Sequence, residues 1–165
     1  MSLKNFSEMA VYVDASHASH DDARGQTGGC ITMGRGVLHS KSGKQKINTK
    51  SSYESELVGA SDYLPYAIWF IYFLAEQGYT IEKKIIYQDN QSTMKLLKNG
   101  RNSAGKQSKH ISTRFFWMVD RLKKEKMTVE FCPSGLMLGN FSNKSLQGIL
   151  FRKMRDVVLG AAPIT

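Results

Sequence analysis

Proline and cysteine are scarce in this chain, at three and two residues of 165, and acids are outnumbered by bases. Each shortage excludes something. So little proline, with no low-complexity run, argues against an extended or disordered chain. A content of 41% hydrophobic and 22% charged residues is globular. Two cysteines cannot make a disulfide scaffold. Cys30 and Cys132 stand neither in a C-x-x-C pair nor beside a histidine, which speaks against a thiolate metal site. They read as buried thiols of a reducing compartment, cytoplasmic or nuclear, with no disulfide-linked partner. A long apolar run is missing too. Residues 63–75 are apolar, but Pro65 interrupts them and they fall short of the roughly 20 residues of a membrane span. No secretory signal pattern opens the chain, and no membrane association is expected. The deficit of acid, 14 Asp plus Glu against 23 Lys plus Arg, gives a net charge of +9. That charge favours an acidic partner, nucleic acid first.

The length suits one domain. Residues 1–8 read as an N-terminal extension or expression scar, 9–160 as the domain and 161–165 as a tail. Short apolar runs at 9–14, 28–33 and 37–41 predict three strands, the last two joined through Gly34-Arg35-Gly36 as a hairpin. Ser51, with Glu54 three residues on, is a capping-box start for a long helix. Its apolar stripe runs through Leu57, Ala60, Leu64, Ile68, Ile71 and Leu74, with Pro65 as a kink and Gly78 as the stop. A fourth strand at 84–89, helices at 92–99 and 112–126, a fifth strand at 127–132 and a last helix over 141–158 complete the order. The aromatics Trp69, Phe70, Tyr72, Phe73, Phe115, Phe116 and Trp117 recur at helical spacing and are expected in the core. The fold class is α/β, a five-stranded mixed sheet flanked by helices. Strands one to three form an antiparallel meander, and strands four and five pair in parallel through right-handed crossovers.

Two of these runs end in an acid, Asp14 and Asp89. In such a sheet ligands bind beyond the C-terminal strand ends, where strand order reverses. The two aspartates are therefore expected together. Glu54 and Glu56 point about 200° apart on their helix, and Glu56 borders the apolar stripe more closely, so it is the third candidate. Converging carboxylates repel unless cations hold them, and hard divalent ions with oxygen ligands are suited to doing so. The alternative is a set of solvated strand-end acids, since aspartate is common in turns. His17 and His20, near Asp21 and Asp22, read as a solvated loop.

The segments Tyr12-Val13-Asp14-Ala15-Ser16, Thr27-Gly28-Gly29, Ser40-Lys41-Ser42-Gly43-Lys44-Gln45-Lys46, Thr49-Lys50-Ser51-Ser52 and Glu54-Ser55-Glu56 are joined by Tyr87-Gln88-Asp89-Asn90-Gln91-Ser92, Ser108-Lys109-His110-Ile111 and Lys144-Ser145-Leu146-Gln147-Gly148. Together, and in this order over nearly the whole chain, they resemble the ribonuclease H domain of copia-type LTR retrotransposon polyproteins. The resemblance implies the ribonuclease H-like three-layer fold. It also implies metal-dependent hydrolysis of the RNA strand of RNA–DNA hybrids, and a reverse transcriptase domain of the same polyprotein as partner, within a virus-like particle of the element. It implies that Asp14, Glu56 and Asp89 hold Mg²⁺ or Mn²⁺, with two ions expected once substrate is bound. The family's fourth acid is here Asn140, amid other departures at Gly135, Leu136, Gly139, Asn143 and Ser145. An amide carries no net charge, so a weakened second ion and impaired cleavage are expected. A catalytically silent domain that binds nucleic acid is the alternative.

Ten Lys or Arg against two acids over 95–126, and five against none over 35–50, supply candidate phosphate contacts: Lys44, Lys46, Lys109 and Arg114. His110 suits either a phosphate contact or a structural hydrogen bond. Ser16, Asn90, Gln91 and Ser92 are candidates for contacts to the 2′-hydroxyls that distinguish a hybrid from DNA.

Overall fold

The computed structural model describes residues 8–99 and 109–164, and outside these lies the polar stretch 100–108. The elements in chain order are β1 (Glu8–Ser16), β2 (Gln26–Thr32), β3 (His39–Lys44), α1 (Ser52–Glu76), β4 (Lys83–Gln88), α2 (Gln91–Asn99), α3 (Lys109–Lys124), β5 (Thr128–Phe131), α4 (Gly139–Asn143) and α5 (Gly148–Val158). One mixed sheet has the order β3-β2-β1-β4-β5. β1–β2 and β2–β3 are antiparallel, whereas β1–β4 and β4–β5 are parallel.

The period of two along β1 sorts its side chains into two layers. Met9, Val11 and Val13 join the core beneath α1, α2 and α3, with Leu57, Leu64, Met94, Phe115 and Met118. Ala10 and Tyr12 face the other way, onto Met137, Leu138 and Val157 beside α4 and α5. Helices on both faces of a twisted mixed sheet make three layers. Both cysteines are buried and free, and burial pushes the Cys30 thiol up to about 12.

Local chemistry explains the long helix. Ser51 Oγ accepts from the Glu54 N–H at 3.2 Å. The reciprocal bond reaches one residue further back than a capping box requires, from the Lys50 N–H to Glu54 Oε2 at 2.8 Å. The helix ends before Gly78, whose φ of +80° suits glycine. By length and composition α1 is apolar enough to cross a membrane. Its N-terminal half is instead buried, and it brings Glu56 into the protein.

Three expectations are corrected. The third strand lies at His39–Lys44 rather than 37–41. The Val37 N–H is taken by the Val158 carbonyl at the end of α5, at 3.0 Å. The single last helix over 141–158 is two helices. Lys144 is extended (φ −118°, ψ 146°) and Gly148 has φ +64°, so the helical ladder stops between them. The aromatics are only partly core: Phe115 is fully buried and Phe70 and Trp117 pack against the core, but Trp69, Tyr72, Phe73 and Phe116 are exposed. They lie on the outer faces of α1 and α3, where period alone does not tell core from surface. The chain beyond α5 turns back, with Ala162 and Ile164 against the second cluster.

One close approach positions α4. A Cβ on Gly139 would stand 2.8 Å from the Asp14 nitrogen, and one on Gly28 would stand 2.5 Å from the Gly139 carbonyl oxygen. Backbone meets backbone there because neither residue has a side chain. Gly139→Ala is expected to push α4 off the sheet and cost about 1–3 kcal/mol of stability, checked by urea unfolding.

Candidate active site

β1 and β4 run parallel, with Tyr12 opposite Tyr87. Asp14, two residues on in β1, and Asp89, just past β4, therefore emerge at the same end. β2 flanks β1 on one side and β4 on the other, so this is where strand order reverses. The first turns of α1 deliver Glu56 to the same place, and Glu54 stays at the helix start. One carboxylate oxygen from each of Asp14, Glu56 and Asp89 lies within 4.8 Å of the other two. Asp14 and Glu56 are buried and Asp89 is half-buried.

Neutral and cationic donors hold the triad in place. Glu56 Oε2 accepts from the Ala15 N–H at 3.2 Å and from Gln88 Nε2 at 2.7 Å. Asp89 Oδ2 accepts from Ser134 Oγ at 2.8 Å. Asp14 Oδ2 accepts from Asn143 Nδ2 at 2.5 Å and faces the Lys144 ammonium at 3.2 Å. Gln88 has turned its amide to Glu56, and its Oε1 is buried with no partner among the described residues. That costs about 1–3 kcal/mol.

Burial, and then repulsion from Asp14 and Asp89, pushes Glu56 up to about 8. Burial also raises Asp14, partly offset by Asn143 and Lys144. Oxygens around one Mg²⁺, bound at about 2.1 Å, lie about 3–4 Å apart. The triad is close to such a set, and its donors are hard oxygens carrying surplus negative charge. The three acids thus fit a divalent cation. Asn140 does not join them. Its Nδ2 donates to the Ser134 carbonyl at 2.7 Å and its Oδ1 accepts from Lys144 Nζ at 2.6 Å, so both ends of the amide are in use.

The remaining candidates fall into three groups. Lys44, Lys46 and Arg114 line a groove of about 300 Å³ with Lys41, Thr27 and Tyr66. Lys44 also pairs with Asp22, and Arg114 with Asp62. Thr27 lies opposite Ala15 in register, which sets the groove beside the triad. Ser16 contacts Asn143 at 3.3 Å. Asn90 has a local structural bond pattern. Its Oδ1 accepts from the Ser92 and Thr93 N–H groups and caps α2, leaving Gln91 and Ser92 exposed on its first turn. The side chains of Lys109 and His110 lie outside the described residues. The sequence reading missed Gln88, Ser134, Asn143 and Lys144 as site partners. Lys144 leaves α4 in extended conformation, and the assumption of one continuous helix concealed the break at which it meets Asp14.

No protein-family model matches the chain. It is 31% identical over 119 residues, 72% of its length, to the retrovirus-related Pol polyprotein from transposon TNT 1-94 of Nicotiana tabacum. The chain spans 9% of that relative. Among solved structures it resembles LC11-RNase H1, isolated from compost by a metagenomic approach. The TM-score is 0.58 and the identity 13%, over 78% of this chain and 86% of that one. The same enzyme in complex with an RNA/DNA hybrid matches with a TM-score of 0.55 and 10% identity, over 78% and 88%. The protease-reverse transcriptase of prototype foamy virus matches with a TM-score of 0.51 and 11% identity, over 94% of this chain and 21% of that one.

Two outcomes follow for metal-free protein. The folded chain keeps the Glu56 proton to about pH 8, against an ordinary value of 4.5. Between those values it binds more protons than the unfolded chain, so stability falls as pH rises from 4.5 towards 8. Thermal melts in chelator should show that slope, and Glu56→Gln should flatten it. Asn140→Asp sets a carboxylate oxygen against the Ser134 carbonyl and should cost about 1–3 kcal/mol in urea unfolding.

Proposed function

Because the chain is a ribonuclease H-like domain related to a retrotransposon Pol polyprotein, we propose that it hydrolyses the RNA strand of RNA–DNA hybrids at Asp14, Glu56 and Asp89. The observation that carries this reading is the convergence of three carboxylate oxygens within 4.8 Å at the C-terminal ends of β1 and β4. Asp14, Glu56 and Asp89 would hold a divalent ion, Mg²⁺ or Mn²⁺. When bound, it supplies Lewis-acid activation of water and neutralisation of phosphate charge.

The chain's own groups prepare the site. The Ala15 N–H and Gln88 amide orient Glu56, and Ser134 orients Asp89. Lys41, Lys44, Lys46 and Arg114 offer a cationic track for a strand's phosphates, and Thr27 in the same groove pairs with Ala15, the neighbour of Asp14. Ser16, which is half-buried, and Gln91 and Ser92, which are exposed, are the polar groups this reading assigns to 2′-hydroxyls. The copia-type likeness of the motifs and the Pol relative support a setting beside a reverse transcriptase domain. The amide of Asn140, tied at both ends, favours a second reading: a domain that grips hybrid without cutting it.

A labelled hybrid separates the two readings. Cleavage of its RNA strand in Mg²⁺ or Mn²⁺, lost by at least about 100-fold in Asp89→Asn, supports the nuclease. Salt-sensitive binding by fluorescence anisotropy without cleavage supports the binding domain. Neither binding nor cleavage overturns both.

A further inference from the structure

Lys144 Nζ stands 2.6 Å from Asn140 Oδ1 and 3.2 Å from Asp14 Oδ2. A chain of contacts results. The Ser134 carbonyl accepts from the Asn140 amide, whose oxygen accepts from the ammonium, which also pairs with Asp14. The gap between Asp14 and residue 140 is thus already bridged by a cation belonging to the protein. Among the described residues no Lys or Arg pairs with Glu56 or Asp89 on the other side of Asp14.

We propose that the Lys144 ammonium is a tethered cation standing where a second divalent ion would bind, so that this site takes one divalent ion and not two. The proposal rests on the triad being the ion site. Charge supports it. With Glu56 ionised, as ligation of a cation requires, three carboxylates and one ammonium sum to minus two, which a single divalent ion neutralises. Four carboxylates without the lysine would sum to minus four and call for two ions. Geometry supports it as well, because amide and ammonium are matched. The Asn140 oxygen faces the cation and its NH₂ faces a carbonyl, an arrangement that an aspartate could not adopt without opposing two oxygens. An ion placed in the gap would have to displace Lys144 against like-charge repulsion. The lysine side chain is 44% exposed, so it can be replaced without opening the core.

Mn²⁺ alone is the probe, with stoichiometry read by titration calorimetry and proximity of bound ions by electron paramagnetic resonance. Unliganded melts in chelator confirm that each variant folds. The expected results are one Mn²⁺ for the parent and for Lys144→Arg, and two magnetically coupled ions for Lys144→Met combined with Asn140→Asp. Lys144→Met alone should tighten the single ion by at least about fivefold, because a neighbouring positive charge is gone. It is the deciding measurement if the double variant does not fold. Two ions in the parent, one in the folded double variant, or unchanged affinity in Lys144→Met overturns the tethered-cation proposal while leaving the triad intact. No Mn²⁺ bound by any protein overturns the triad reading itself.

Discussion

Three carboxylates that would repel one another are forced together at one end of a sheet, and much of the surrounding structure answers that repulsion. The parallel pairing of β1 with β4 brings two of them to the same edge. α1 adds the third from the opposite layer. Around them stand an N–H group, a glutamine amide, a serine hydroxyl, an asparagine amide and one ammonium, each directed at a carboxylate oxygen. Four of the five are neutral. They orient the acids and compensate little of their charge; burial first, and repulsion from Asp14 and Asp89 second, hold Glu56 far above its ordinary value. A divalent cation is the counter-charge that such a pocket suits.

The sequence made the triad legible because each acid sits at a position where local pattern dictates direction. Asp14 and Asp89 close apolar runs, so their strands' ends place them. Glu56 and Glu54 differ by about 200° around a helix, and only one can face inward. The cap at Ser51 was equally readable, since a hydroxyl three residues before an N–H has one obvious use. Other features depended on partners remote in the chain. β3 begins late because Val37 is claimed by Val158. The break between α4 and α5 turns on the extended backbone at Lys144 and the positive φ of Gly148, neither of which an apolar stripe reveals. Asn90, a candidate for hydroxyl contact in the sequence, also caps α2 through its side-chain oxygen, a use that the apolar pattern does not announce.

The aromatic residues show the limit of periodicity from another direction. Trp69 and Phe73 stack on each other at 5.1 Å on the exposed half of α1, whereas Tyr63, about two to three turns earlier, is buried beneath β2. Both sets repeat with helical spacing. What separates them is how far the sheet extends over the helix, and that is a property of the assembled layers.

The contact of Gly139 with the Asp14 backbone fastens α4 to the end of β1. Asn140, Asn143 and Lys144 all ride on that one short helix and its exit, while the triad belongs to the strands and the long helix. The pocket is consequently divisible. A corner of the molecule a few residues long decides how much positive charge the polypeptide itself contributes, and exchanging that corner would retune the electrostatic balance while leaving the strands and long helix that carry the acids intact.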